Sequence, residues 1–595
     1  MTLAEKIILA CIEKLPEGEV DFNILKRQLT SQGHIRESEL SGNLDKSQGM
    51  PAKTELLSAY HKLLTKKRIL PNKKLEKLLM RRAVRTLSGV TIVTSLVKPY
   101  PCPGECVYCP LDERMPKSYL AEEPAAMRAL MLAFDPYEQM AKRIEALEKN
   151  GHPTDKVELI IKGGTWNSYP LPYQYWFILR SFEAANETGK WKSPLEGGRG
   201  DVGQSRTSPK PMQIGSPSSR RDLTEASPLI DLKKELFRQQ RLNEHAKHRI
   251  IGLTLETRPD CINYHTIWQM REMGCTRLEI GVQHTDNKVL ALTKRGHTAE
   301  EAMRATELLK NYGFKADYHL MPQLPGATAT TDLVMLEEIF KNPGYRPDMI
   351  KIYPCTVVKG SELYDWFKDG KYKAYPTEDL LKILKQFKTV VPRYCRISRL
   401  IRDIPGQYIE EGNKVTNLRQ VIQMEMKREG TACKCLRCRE IGHVDIAKIK
   451  DLTPHLFIDE YKTHGGMEYF LSFEDKKRQV VFAFCRLRIV DTPVIHPNKK
   501  LNSYEAYIRE LHTYGQLIPI KQENKKSRKQ DHVKAQHRGL GKKLVKKAEQ
   551  IVKQNKIEKL AVISGVGVRD YYRQLGYRLE KTYMVKNLKT RRLED

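Results

Sequence analysis

Apolar positions along the chain change rhythm more than once. Between residue 90 and about residue 401, short β-branched runs alternate with longer stretches of helical period. The runs at 90–97, 156–161, 250–255, 278–282, 316–320 and 349–353 predict strands, and 138–149, 228–247, 299–311 and 377–390 predict helices. Repeated strand–helix units imply a parallel sheet, and six of them imply an α/β fold built on a partial TIM-type barrel. In such a barrel the chemistry sits on loops that follow the strands.

Before the barrel, residues 1–85 read as helical and basic. Lys73, Lys74, Lys77, Arg81, Arg82 and Arg85 crowd one stretch that predicts a nucleic-acid contact. Residues 193–227, rich in Gly, Pro, Ser and Arg, interrupt the barrel and read as a flexible insertion in a loop. From about residue 456 the pattern becomes α+β. Strands are expected at 467–473, 480–487 and 507–514, before a lysine-rich stretch at 521–534. A helix starts near Gly541, with Leu544, Val545, Ala548, Ile551 and Val552 at helical spacing. A strand at 560–563, a short helix from Val568 and a strand at 583–585 complete this domain. The expected organisation is a basic helical region (1–85), a barrel (86–400), a linker (401–455) and an α+β domain (456–595).

Composition narrows the class. Hydrophobic residues make up 40% of the 595 positions, which excludes a wholly disordered chain. Mean hydropathy is −0.55, and no apolar run reaches the ~18–20 residues that cross a bilayer. The chain reads as soluble and cytoplasmic, without membrane contact. Lys and Arg number 103 against 72 Asp and Glu, a net charge of +31. Such a surplus favours polyanions, and nucleic acid is the commonest large one.

Six of the twelve cysteines fall in two tight triplets, Cys102/Cys106/Cys109 and Cys433/Cys435/Cys438. Clustered thiols in a reducing compartment point to metal. The first triplet lies directly after the first strand at C-x3-C-x2-C spacing, suited to three irons of a cubane. The fourth iron then stays open to a ligand, as a catalytic metal needs. The second triplet sits in the linker and, with nearby His443, reads as a structural zinc site.

Two glycine motifs add ligand sites. Lys162-Gly163-Gly164-Thr165 follows the second strand, where glycines let backbone approach a ligand closely. Gln536-His537-Arg538-Gly539-Leu540-Gly541 precedes a helix, whose first N–H groups and dipole favour an anion.

The cysteine spacing resembles the radical S-adenosylmethionine (SAM) superfamily, and Gly163-Gly164 resembles the pair that contacts SAM there. The resemblance implies a 4Fe-4S cluster and SAM, cleaved to a 5′-deoxyadenosyl radical that abstracts hydrogen. The second loop resembles the pyrophosphate loop of GNAT-type acetyltransferases, which holds coenzyme A. Together with Glu256-Thr257-Arg258-Pro259-Asp260, Arg295-Gly296-His297-Thr298 and Arg509-Glu510-Leu511-His512, these motifs resemble the Elongator catalytic-subunit family, prokaryotic type.

That resemblance implies a radical SAM barrel, a zinc-binding linker and a GNAT domain. The implied reaction is acetyl-CoA-dependent formation of a 5-carboxymethyl group on the wobble uridine of tRNA, with tRNA-stimulated acetyl-CoA hydrolysis. By the same resemblance Cys102, Cys106 and Cys109 hold the cluster, and Lys156 meets acetyl-CoA from the barrel. Glu510, Leu511, His512 and Thr513 form the strand edge for the pantetheine arm. Gln536, Gly539, Leu540, Gly541 and Lys542 take the pyrophosphate, and Tyr572 the thioester end. Lys156 and Tyr572 are the expected catalytic residues, and Tyr571 the core member of the tyrosine pair. The implied partners are the tRNA anticodon stem-loop and a reductant; monomer, homodimer and accessory subunits all stay open. The competing readings are a protein lysine acetyltransferase with the barrel as scaffold and an RNA-binding scaffold with vestigial sites.

Overall fold

The computed structural model describes residues 2–13, 51–80, 89–188, 226–445, 449, 451–514 and 539–589. Arg81, Arg82 and Arg85, the side chains of Lys73 and Lys77, the 521–534 stretch, Gln536 and nearly all of the 193–227 insertion lie outside them. In the N-terminal region the helices Leu3–Glu13, Lys53–Thr65 and Lys73–Leu79 pack around Ile7, Ile8, Leu57, Tyr60 and Leu75.

Seven parallel strands build the first sheet. They are β1 (Thr91–Leu96), β2 (Lys156–Lys162), β3 (Arg249–Thr257), β4 (Arg277–Gln283), β5 (Lys315–Leu320), β6 (Met349–Ile352) and, after the two-residue β7 (Thr356–Val357), β8 (Arg396–Arg399). The order β1-β2-β3-β4-β5-β6-β8 leaves β1 and β8 as edges, so the barrel is open. β7 pairs only with the equally short β9 (Glu411–Gly412). Six of the seven match the predicted strands. β8 reads Arg-Ile-Ser-Arg, too short and polar to stand out as an apolar run.

Strand alternation explains what the barrel encloses. On β4, Leu278, Ile280 and Val282 join the apolar layer beneath the helices, while Arg277 and Gly281 face the lumen. The connecting helices carry their own start signals. Thr298 accepts from Glu301 N at 3.3 Å while Glu301 Oε2 accepts from Thr298 N at 2.8 Å, a capping box that opens the helix Ala299–Asn311.

A second seven-stranded sheet follows: β10 (His455–Thr463), β11 (Gly466–Glu474), β12 (Val481–Val490), β13 (Ala506–Thr513), β14 (Lys559–Val562), β15 (Arg578–Glu580) and β16 (Tyr583–Asn587). Its order is β10-β11-β12-β13-β14-β16-β15, and only β13 and β14 run parallel. The edge strands β10 and β15 are largely solvent-facing, which hid them from an apolar pattern. Helix Leu540–Gln554 buries Leu540, Leu544, Val545, Ala548, Ile551 and Val552 against this sheet. Each large aliphatic side chain so buried contributes ~1.5–3 kcal/mol.

The second sheet docks against the end of the barrel where the strands begin, opposite the cysteine loop. Gly565 makes this approach possible, since a Cβ there would lie 1.9 Å from the Ile251 carbonyl oxygen. Behind it runs a buried ionic network. Arg509 Nη1 donates to Asp348 Oδ1 at 2.9 Å and to Glu468 Oε2 at 2.9 Å, and Arg488 Nη1 to Glu468 Oε1 at 3.0 Å. Lys310 from the barrel reaches Glu468 at 3.6 Å.

Candidate active site

One cavity of about 1120 Å3 runs from the cysteine loop through the lumen to the second sheet. This exceeds the ~300–1,000 Å3 of a single-ligand pocket, so it has room for more than one reactant.

The upper end is the loop after β1. Cys106 is buried and Cys102 and Cys109 half-buried. Backbone bonds fix the loop: Val107 N donates to Thr293 O at 3.2 Å, and Leu363 N to Val107 O at 2.8 Å. Cys102 Sγ lies 3.6 Å from Thr165 Oγ1. Arg295 Nη1 donates to Cys106 Sγ at 3.4 Å. The Cys109 hydrogen bond, followed by the Arg295 charge, pulls the Cys106 thiol down to about 4 against burial. Beside the loop, Gly163 has φ +133°, and a Cβ there would meet Val97 Cγ2 at 2.2 Å. Only glycine fits this turn.

The lumen between the two ends is polar. Lys162 pairs with Glu279 and stands 3.7 Å from Glu256. Tyr119 OH donates to Glu256 at 2.8 Å, and His319 Nε2 lies 3.0 Å from Glu279. Lys351 also pairs with Glu279, yet burial brings its ammonium down to about 8. Asp317 is fully buried, neither carboxylate oxygen has a hydrogen-bond partner, and desolvation raises its pKa.

At the lower end Glu510 accepts from Arg486 Nε at 2.8 Å and faces Lys315 at 3.8 Å. Despite burial, Lys315 and Arg486 hold its carboxyl down to about 2. The register of β13 on β14 stops at Ile508↔Val562. Residues 509–513 therefore run past β14 without a partner on that side among the described residues. The helix Leu540–Gln554 starts beside this edge, with Gly541 placed so that a Cβ would sit 3.4 Å from Thr513 Cγ2. Gly539 caps that helix at φ +88°.

Comparison with known proteins places this geometry. Residues 213–336 match the radical SAM superfamily and 347–428 the radical SAM C-terminal domain. A tRNA uridine(34) acetyltransferase of Methanocaldococcus infernus is 40% identical over 91% of this chain and 92% of its own. The Homo sapiens Elongator complex protein 3 is 35% identical over 86% of each chain.

The chain belongs to the Elongator complex protein 3 family.

The solved structure of archaeal Elp3 from Methanocaldococcus infernus, with residues 1–46 deleted, is 37% identical at a TM-score of 0.65. It covers 84% of this chain and 99% of that one. As a member of the Elongator complex protein 3 family, the chain is a radical SAM acyltransferase, and a 4Fe-4S cluster and SAM are its implied cofactors. The donor set fits a cluster. A zinc site needs thiols ~3.8 Å apart, from Zn–S ≈ 2.3 Å in a tetrahedron, whereas a cubane spreads its ligands over different irons. Cys433, Cys435 and Cys438 lie within 4.8 Å of one another, while in the first triplet Cys106 and Cys109 are in hydrogen-bond contact and Cys102 does not join them in such a group among the described residues.

The Elongator complex protein 3 framework brings some expected residues together and leaves others apart. Cys102, Cys106, Cys109, Gly164, Glu510, Leu511, His512 and Tyr572 line the cavity. Lys156, Gly163, Thr513, Leu540, Gly541 and Lys542 stand outside its lining. The β2 lysine that lines it is Lys162. His443 is not drawn into the thiol group of the second triplet; its Nε2 stands 3.6 Å from Glu440 instead. Tyr572 is the buried member of the tyrosine pair and Tyr571 the half-buried one, the reverse of the expected assignment. Sequence reasoning missed Glu279, Asp317, His319 and Lys351. Their signal was present: charged residues at alternate positions inside otherwise apolar strands.

Proposed function

We propose that this chain is a tRNA uridine(34) acetyltransferase that forms the 5-carboxymethyl group of the wobble uridine from acetyl-CoA. The carrying observation is the single cavity whose lining includes both the cysteine loop and Tyr572. In this reading Cys102, Cys106 and Cys109 hold the cluster, and Gly163 and Gly164 admit SAM. Bound there, the two cofactors supply one-electron cleavage of SAM and hydrogen-atom abstraction from carbon. The second sheet with its helix is a GNAT domain spanning 456–595. Its strand edge at Glu510, Leu511, His512 and Thr513 hydrogen-bonds the pantetheine arm. Gln536, Gly539, Leu540, Gly541 and Lys542 take the diphosphate of acetyl-CoA. Tyr572 donates a proton to the departing thiolate, and Lys156 approaches the acyl chain from the barrel side. The linker 401–455 holds zinc through Cys433, Cys435 and Cys438, whose close spacing suits a tetrahedral ion.

Residues 1–85 and the +31 surplus contact the tRNA anticodon stem-loop, and a reductant supplies electrons. The protein lysine acetyltransferase reading is weaker, because such an enzyme has no use for a lumen that ends at three cysteines. Among the described residues no helix is long and apolar enough to cross a membrane. The test measures free CoA and modified nucleoside from anaerobic protein, with and without tRNA. We expect tRNA to stimulate CoA release. Cys106→Ala should abolish carboxymethyluridine while leaving CoA release largely intact. CoA release indifferent to tRNA, with acetyl groups appearing on protein lysines, would overturn the reading.

A further inference from the structure

We propose that Arg295 is the internal counter-charge of the iron–sulfur cluster and raises its reduction potential through Cys106. The inference rests on the assignment of Cys102, Cys106 and Cys109 as cluster ligands. It extends that reading to a positioning residue outside the cysteine motif.

Arg295 lies between the helices Asn287–Leu292 and Ala299–Asn311, and every nitrogen of its guanidinium is engaged. Nη1 donates to Cys106 Sγ at 3.4 Å, Nη2 to Gly281 O at 2.7 Å, and Nε to His297 Nε2 at 3.0 Å. The strand leaves it room, since a Cβ on Gly281 would come within 2.4 Å of Nη2. The same segment holds the cysteine loop, through the Val107 N to Thr293 O bond at 3.2 Å. Guanidinium and thiol are thus fixed relative to one another by short-range backbone, not by a long flexible path.

The charge balance is the stronger observation. Arg295 is only 7% exposed, and among the described residues it makes no ion pair with a carboxylate. The neighbouring arginines are differently placed: buried Arg258 has Asp260 at 3.0 Å, and half-buried Arg402 has Glu123 at 2.7 Å. His297 shares none of the burden. Burial, followed by the Arg295 charge, lowers its pKa to about 4, so the ring is neutral, with Nδ1 3.2 Å from Thr298 O and Nε2 3.0 Å from both Gly281 O and Arg295 Nε. A buried cation without a counter-ion is strongly unfavourable. The anions that remain in reach are the thiolates of the cysteine loop, and Cys106 is the one it hydrogen-bonds.

Reduction adds a negative charge at the site. A fixed guanidinium next to a ligand sulfur favours the more negative state, and a hydrogen bond to that sulfur acts in the same direction. Arg295 therefore shifts the cluster's one-electron couple upward, toward the reach of a cellular reductant.

Arg295→Met keeps bulk and removes the charge. In a redox titration of the reconstituted protein followed by EPR, we expect the ratio of reduced to oxidised cluster at a fixed potential to fall about tenfold. That corresponds to a midpoint lower by about 59 mV for a one-electron couple. Arg295→Lys should recover most of the shift. A midpoint unmoved by Arg295→Met, with iron and sulfide content intact, overturns the proposal. Should that variant fail to hold a cluster, the unmodified protein labelled with 15N-arginine decides. Pulsed EPR of its reduced cluster shows a coupled arginine nitrogen if the bond to Cys106 exists, and none if the proposal is wrong. Cys106→Ala that keeps its full iron and an unchanged spectrum would instead sink the ligand assignment, and the role of Arg295 with it.

Discussion

Tyr572 places a protonated phenol at the lower end of the cavity. Burial, reinforced by Tyr571, raises its pKa well above the ordinary range, so the phenol stays protonated, and under the proposed function it is the group that donates to the leaving thiolate. Tyr572→Phe removes one oxygen and leaves the ring in the core. We expect tRNA-stimulated CoA release to fall by about 10²–10⁴-fold, with the circular dichroism spectrum unchanged. Tyr571→Phe is the control, and equal losses in both variants would remove the phenol from the chemistry. The family resemblance put Tyr572 at the site and Tyr572 lines the cavity, but that it is also the more buried of the pair was not legible in the sequence. Adjacent helix positions differ by ~100° in direction, and only the packing of the helix Arg569–Arg573 on the second sheet decides between them. Lys156 and Lys162 pose the same problem on a strand. Both fall on the lumen-facing alternation of β2, and the cavity reaches one and not the other. The cysteine loop was legible, because three thiols within eight residues after a strand have few other uses.

The elements themselves followed largely from pattern, since buried parallel strands are continuous apolar runs. The contact between the two sheets did not, because its stabilising groups are charges that a strand pattern places on the surface. Asp348, Glu468 and Arg509 are fully buried where barrel and second sheet meet. Asp348→Asn keeps the shape but leaves Arg509 with Glu468 alone and Arg486 with Glu510 alone, and removing one partner from a buried ionic network costs up to about 3–5 kcal/mol. A urea titration followed by proteolysis at the interface should show the two units separating earlier in this variant. Acid should do the same to the native chain. Asp348 and Glu468 are depressed by Arg509 and Lys310 despite burial, and Glu510 lies at about 2. Carboxylates lowered on folding stabilise above their unfolded values of about 4. That contribution is fully present at pH 7 and is lost as pH falls from about 4 toward 2. A docked state equally resistant to urea at pH 3 and pH 7 would show that these carboxylates do not hold the interface.

For the molecule as a whole, the cavity orders the chemistry in space. Four residues of β2 separate Lys162 from Glu158, about 13 Å at ~3.3 Å per residue, so the two ends are served by separate sets of side chains. A wobble base entering between them must be held by grips elsewhere on the tRNA, and the +31 surplus supplies the means. Each cation that replaces a counterion on a phosphate contributes about 0.7–0.9 to the slope of log affinity against log salt. Lys73, Lys74, Lys77, Arg81, Arg82 and Arg85 form the densest basic stretch ahead of the barrel, and Lys74 is exposed. Replacing all six by glutamine should weaken tRNA binding at low salt and flatten the slope by that amount for every phosphate left unneutralised. Acetyl-CoA affinity should not change, because the lower end of the cavity lies on the second sheet. The measurement is a filter-binding titration at several salt concentrations, with the unmodified chain in parallel. An unchanged slope would move the tRNA grip away from this stretch and onto other basic surface, while leaving the cavity reading untouched. A flattened slope with intact CoA affinity would mean that the substrate is gripped by the N-terminal region and only its anticodon is delivered to the lumen.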